Sequence, residues 1–129
     1  MDKLASYIIG IDHSPWVSMR FDEINFEKFY FYPNLREKVE VLITNATMLN
    51  WKVNYLRSTQ HNRSCIEFTR KSSNVLGIDQ INILIISNKK NLPDCVATSG
   101  NYVNNKHSNS RRGINRLFNE VDKQLIGLV

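Results

Sequence analysis

The chain has 129 residues, 42% apolar and 22% charged. That size and balance suit one globular domain, taken as 1–129, and exclude a disordered tail, a collagen-like fibre or a coiled coil. Two cysteines, Cys65 and Cys95, are too few to staple a small secreted fold, and no apolar run approaches the ~20 residues of a membrane helix. The net charge of +5 is uneven: residues 1–50 hold five Lys/Arg against seven Asp/Glu, and residues 51–129 hold twelve against five. A local concentration of that excess would mark a docking or nucleic-acid face.

In chain order, Tyr7 to Ile11 is a short apolar run broken by Gly10, less than the ~7–15 residues of a signal-peptide core. It reads as a strand, and the protein as cytoplasmic with reduced thiols. Val17, Met19 and Phe21 alternate with polar neighbours, the period-two signature of a half-buried strand. Phe29 to Tyr32 is a continuous aromatic run and reads as a central strand. Asn34 to Leu49 also reads as strand, because Val39, Val41 and Ile43 alternate with Lys38 and Glu40, although Leu35, Val39, Leu42, Ile43 and Ala46 fit helical spacing too. Val53 with Tyr55, Ile66 with Phe68, and the nearly continuous apolar run Ile81 to Ile86 add three strands, and Cys95 to Thr98 a weak eighth. The links are short and polar, which suits antiparallel hairpins, since a parallel crossover needs about a dozen residues. Thr98 to Asn109 has no clear period and reads as a loop. The C-terminus changes character: Ile114, Leu117, Phe118, Val121 and Leu125 form one helical stripe, with Ser110 as N-cap and Gly127 as C′ residue. The expected fold class is α+β, a mostly antiparallel sheet of about seven strands with a C-terminal amphipathic helix packed on it.

Sixteen asparagines, thirteen isoleucines and nine lysines stand out. All three are written with A/T-rich codons, which points to a bacterial or phage accessory gene. Many of the asparagines fall in predicted turns, where their side chains and their tolerance of left-handed backbone are useful.

Catalytic motifs are absent from the sequence: no Gly-rich phosphate loop, no Cys-x-x-Cys, no His-Glu-x-x-His and no nucleophile elbow. His13, His61 and His107 fall in three separate predicted loops, so no metal site, cofactor or catalytic residue is assigned. One motif is enzyme-like. Ile9-Gly10-Ile11-Asp12-His13-Ser14 resembles the first strand of ribonuclease-H-like nucleases, including Holliday-junction resolvases. The resemblance covers six residues. It implies that Asp12, with Glu67 and Asp122, would hold Mg²⁺ ions for phosphodiester hydrolysis. The chain departs from that family in placing short strands where a long helix should precede the second carboxylate.

The basic residues gather in two places. Lys106, Arg111, Arg112 and Arg116 surround the start of the last helix, where arginines and backbone amides together suit an anion. Arg57, Arg63, Arg70 and Lys71 flank a predicted hairpin. Among the aromatics, Trp16, Tyr30 and Tyr32 are expected at the surface, where Trp and Tyr anchor protein interfaces. Together these features suggest a small non-enzymatic interaction protein, binding and inhibiting a protein partner with an acidic face, as immunity proteins and inhibitors do. The alternative is a basic nucleic-acid-binding protein, possibly a nuclease. No membrane partner is expected.

Overall fold

The computed structural model describes residues 16–59, 62–71, 77–87, 94–100 and 103–127. Six strands form one antiparallel sheet in sequence order: β1 (Trp16–Ser18), β2 (Lys52–Ser58), β3 (Arg63–Lys71), β4 (Ile78–Ile86), β5 (Cys95–Gly100) and β6 (Lys106–Ser108). Helix α1 (Leu35–Met48) lies between β1 and β2 in the chain, and α2 (Arg111–Gly127) closes it. The α+β architecture with a C-terminal helix is therefore present, with six strands among the described residues. The expected strand at Tyr7 to Ile11 lies outside them. No described helix is long and apolar enough to cross a membrane.

Strand alternation sorts the side chains into two faces. On the first, Val53, Tyr55, Ile66, Phe68, Ile81, Ile83, Ile85 and Val96 pack with α1 and α2 into the main core. On the second, Leu56, Cys65, Leu84, Ile86, Cys95 and Ala97 form a smaller cluster with Trp16. Ile81 to Ile86 is buried at every position, Asn82 included, as its nearly continuous apolar run implies.

Two expected strands are corrected. Asn34 to Leu49 is not a strand; it is α1 and its caps. Leu35, Val39, Leu42 and Ala46 are buried at helical spacing, whereas Val41 is 56% exposed, so the period-two pattern was coincidental. Arg36 Nε reaches Glu40 Oε1 at 3.1 Å across one turn. The helix ends where Asn50 takes a left-handed φ of 66°. Asn50 N donates to Thr47 O at 3.1 Å and Trp51 N to Ala46 O at 2.9 Å, the pair of bonds that terminates a helix in a Schellman motif. Phe29 to Tyr32 is also not a strand. Phe29 N donates to Phe26 O, Tyr32 N to Phe29 O and Leu35 N to Tyr32 O, at 2.8–3.0 Å. Tight turns of this kind bring every third side chain to one side, and Phe29, Tyr32 and Leu35 are all buried.

One glycine is required by its backbone. Gly100 ends β5 with φ +145°, and a Cβ there would overlap the carbonyl of Gln80 on β4. Gly100→Ala is therefore expected to lose about 2 kcal/mol or more in urea denaturation, while Gly127→Ala, which meets nothing, is expected to lose none. A second pair separates helix from strand over residues 34–49. Val39→Ala is expected to cost about 2 kcal/mol and Val41→Ala close to nothing, because only the first empties core volume.

Candidate binding surface

Among the described residues β6 is an outermost strand, paired with β5 through Val96↔Ser108, Ala97↔His107 and Thr98↔Lys106. Only Asn109 and Ser110 separate it from α2. Ser110 caps the helix as expected: Gly113 N donates to its Oγ at 3.1 Å and Ile114 N to its carbonyl at 2.9 Å. Ser110 N in turn donates to Ser108 Oγ at 3.3 Å. Gly113 permits this close approach, since a Cβ there would run into the Ser108 side chain. The first turn of α2 is thus clamped against the edge strand.

The clamp distributes the four predicted basic residues unequally. Lys106 and Arg116 line one groove of about 470 Å³ between β6 and α2, with His107, Leu117 and Glu120. Arg112 is exposed one turn before Arg116, so the two stand on the same side of the helix. Arg111 instead lies over the Tyr32 ring, 5.0 Å from its centroid. The groove's carboxylate, Glu120, accepts the backbone amide of Asn104 at 3.2 Å. The first turn of α2 holds no acidic residue. Its cations therefore oppose the helix dipole, a cost of a few tenths of a kcal/mol each.

The three aromatics do not form one patch. Tyr30 is 86% exposed, Trp16 is half-buried on the second sheet face, and Tyr32 is buried rather than at the surface. The Tyr32 phenol donates to Asn115 Oδ1, tying the turn segment to α2. Burial pushes this phenol up, and the Arg111 guanidinium pulls it partly back.

The carboxylates that the nuclease resemblance would use are kept apart. Asp12 lies outside the described residues. Glu67 is on the second face, where its two carboxylate oxygens accept Asn54 Nδ2 at 3.1 Å and Gln80 Nε2 at 3.2 Å. Asp122 is on α2, across the sheet, and accepts Asn45 Nδ2 at 3.5 Å. Among the described residues, no three His, Cys, Asp or Glu side chains are grouped to hold a metal. The second basic cluster also divides. Arg70 lies 3.7 Å from Asp79 and 4.4 Å from the Trp51 ring centroid. Arg57 and Arg63 stand at the turn end of the hairpin on opposite faces of the sheet, across from Ser64 and Ile86.

Both cysteines are buried and neither is in a disulfide. Cys65 Sγ donates to Asn82 Oδ1 at 3.8 Å, and burial, with the Glu67 charge beside it, pushes its thiol far up. The folded state thus holds a proton that the unfolded thiol releases near pH 8.5, so stability is full below that pH and falls above it. Denaturation midpoints are expected to drop between about pH 8.5 and 10, by up to ~1.4 kcal/mol per pH unit, and less steeply in Cys65→Ala. Searches of protein-family models, curated proteins and solved structures find no match to this chain.

Proposed function

We propose that the chain is a small interaction protein of bacterial or phage accessory origin that binds and inhibits a partner protein through an acidic surface of that partner. The observation that supports this reading is the convergence of Lys106 and Arg116 in a groove beside an edge strand. An edge strand offers unpaired backbone groups to an incoming extended segment, and flanking cations select an acidic one. Charge-assisted contacts from arginine give such docking both speed and register.

The arginines separate binding from stability. Arg112→Glu places a favourable charge at the helix N-terminus and an ion-pair partner one turn before Arg116. It is expected to raise stability by about 0.5–1 kcal/mol in urea denaturation. Combined with Arg116→Glu, it is expected to abolish capture of the product of a neighbouring gene in a pull-down, and with it any protection that the wild-type chain gives against that product. Wild-type protein that captures no stoichiometric partner and gives no protection would overturn the proposal. Binding of a DNA or RNA oligonucleotide in gel retardation, lost as salt rises and lost in the double variant, would favour a nucleic-acid partner instead.

A further inference from the structure

A groove of about 340 Å³ runs between α1 and α2 and shares no lining residue with the β6–α2 groove. Three contacts fix its direction. The Tyr32 phenol, just before α1, donates to Asn115 Oδ1; Asn45 Nδ2 donates to Asp122 Oδ1 at 3.5 Å; and Trp51 Nε1, just after α1, donates to Leu125 O at 3.1 Å. The partners ascend together along both segments, so the two helices run in the same direction. Lys38 therefore stands at one end of the groove and Asp122, beside Asn45, at the other, separated by two helical turns or ~10 Å. Neither has an opposite charge one turn away on its own helix. Positions 34, 35, 41 and 42 around Lys38 are uncharged, and so are 118, 119, 125 and 126 around Asp122. The walls between the two charges are neutral. Val41 is 56% exposed on one side, and Asn115 and Asn119 line the other.

A closed pair of identical chains needs a surface complementary to itself. Surfaces with an excess of one sign fail that requirement. The concavity of Asp22, Glu23, Glu27 and Glu37 and the groove of Lys106 and Arg116 each repel their own copy. The groove between the helices instead carries one cation and one anion, at opposite ends. A two-fold axis across its middle, at right angles to the line from Lys38 to Asp122, sets each lysine against the aspartate of the second copy. The same rotation covers Val41, an apolar side chain that the single chain leaves in water. The asparagine amides both donate and accept, so they too can pair with their own kind. We propose that this groove is the interface of a weak, two-fold symmetric dimer of this chain, held by two reciprocal Lys38–Asp122 ion pairs beside the two Val41 side chains. A face built from two helices of 14 and 17 residues is small for a protein interface, which sets the affinity at micromolar or weaker.

Sedimentation and light scattering of the full chain, followed from about 10 µM to 1 mM, provide the test. Wild type is expected to pass from monomer to dimer across that range, and less readily as salt rises. Lys38→Glu sets two acids together across the axis and Asp122→Lys two lysines, so each alone is expected to weaken the dimer by about tenfold or more. Mixed in equal amounts, the two variants carry opposite charges on the facing groups and are expected to pair with each other. The double variant, Lys38→Glu with Asp122→Lys, is expected to pair with itself. Damage to the fold would not be undone by either combination. The Arg112→Glu, Arg116→Glu double variant is expected to dimerise as wild type does, which keeps this face separate from the β6–α2 groove. Wild type that stays monomeric at ~1 mM, or a dimer that neither reversal weakens, would overturn the proposal. Monomeric wild type whose capture of a partner is lost in Lys38→Glu would overturn it too, and give the face to a different protein.

Discussion

β4 is buried on both sides, and the rest of the structure depends on that. From Ile81 to Ile86 every side chain is removed from water, with Ile81, Ile83 and Ile85 under the helices and Asn82, Leu84 and Ile86 on the opposite face. A slip of one residue against β3 would exchange the two sets and drive Asn82 into the aromatic core. The register is therefore strongly specified. It then dictates which side chains line up across the sheet. Asn54, Glu67, Asn82 and Ser99 form one row over four strands, beside the apolar row of Leu56, Cys65, Leu84 and Ala97.

That polar row explains why a half-buried acid is tolerated on this face. Glu67 is flanked by two side-chain amides, and Asn82 Oδ1 accepts from Gln80 at 3.2 Å, so the carboxylate sits at the centre of a donor network. The network is incomplete, since Asn82 Nδ2 and Ser99 Oγ are buried without a hydrogen-bond partner. Groups of that kind cost about 1–3 kcal/mol each. The same alternation that builds the row puts Glu67 and Asp122 on opposite sides of the sheet. A motif read along the chain had no access to that fact, because it is decided by strand parity and by the face on which α2 packs.

Legibility in the sequence followed the strength of the period. β2, β3, β4 and α2 were readable because their patterns extend over enough residues for one period to dominate. The five apolar positions of α2 are all buried. α1 failed that test locally: Val39, Val41 and Ile43 alternate as a strand would, while Leu35, Leu42 and Ala46 complete a helix. The deciding signal was at its end, where Asn50 and Trp51 supply the left-handed residue and the apolar cap of a Schellman motif. One of the sixteen asparagines thus has a specific backbone task. β6 was illegible for a different reason. Three residues, Lys106–Ser108, carry no apolar period, and only pairing with β5 makes them a strand.

The charge asymmetry of the second half of the chain now has a spatial form. Its cations do not make a uniform basic surface. Arg70 is spent on Asp79 and Trp51, and Arg111 on the Tyr32 ring, where they hold packed elements together. Lys106 and Arg116 face a groove at one edge of the described sheet, and Arg57 and Arg63 stand at the turn end of the β2–β3 hairpin on opposite faces, across from Ser64 and Ile86. Arg112, exposed in the first turn of α2, opposes the helix dipole and so is not placed where a cation best stabilises the fold. A purely solubilising charge would be as useful anywhere on the surface, so the position of Arg112, one turn before the groove-lining Arg116, is what the docking proposal takes up.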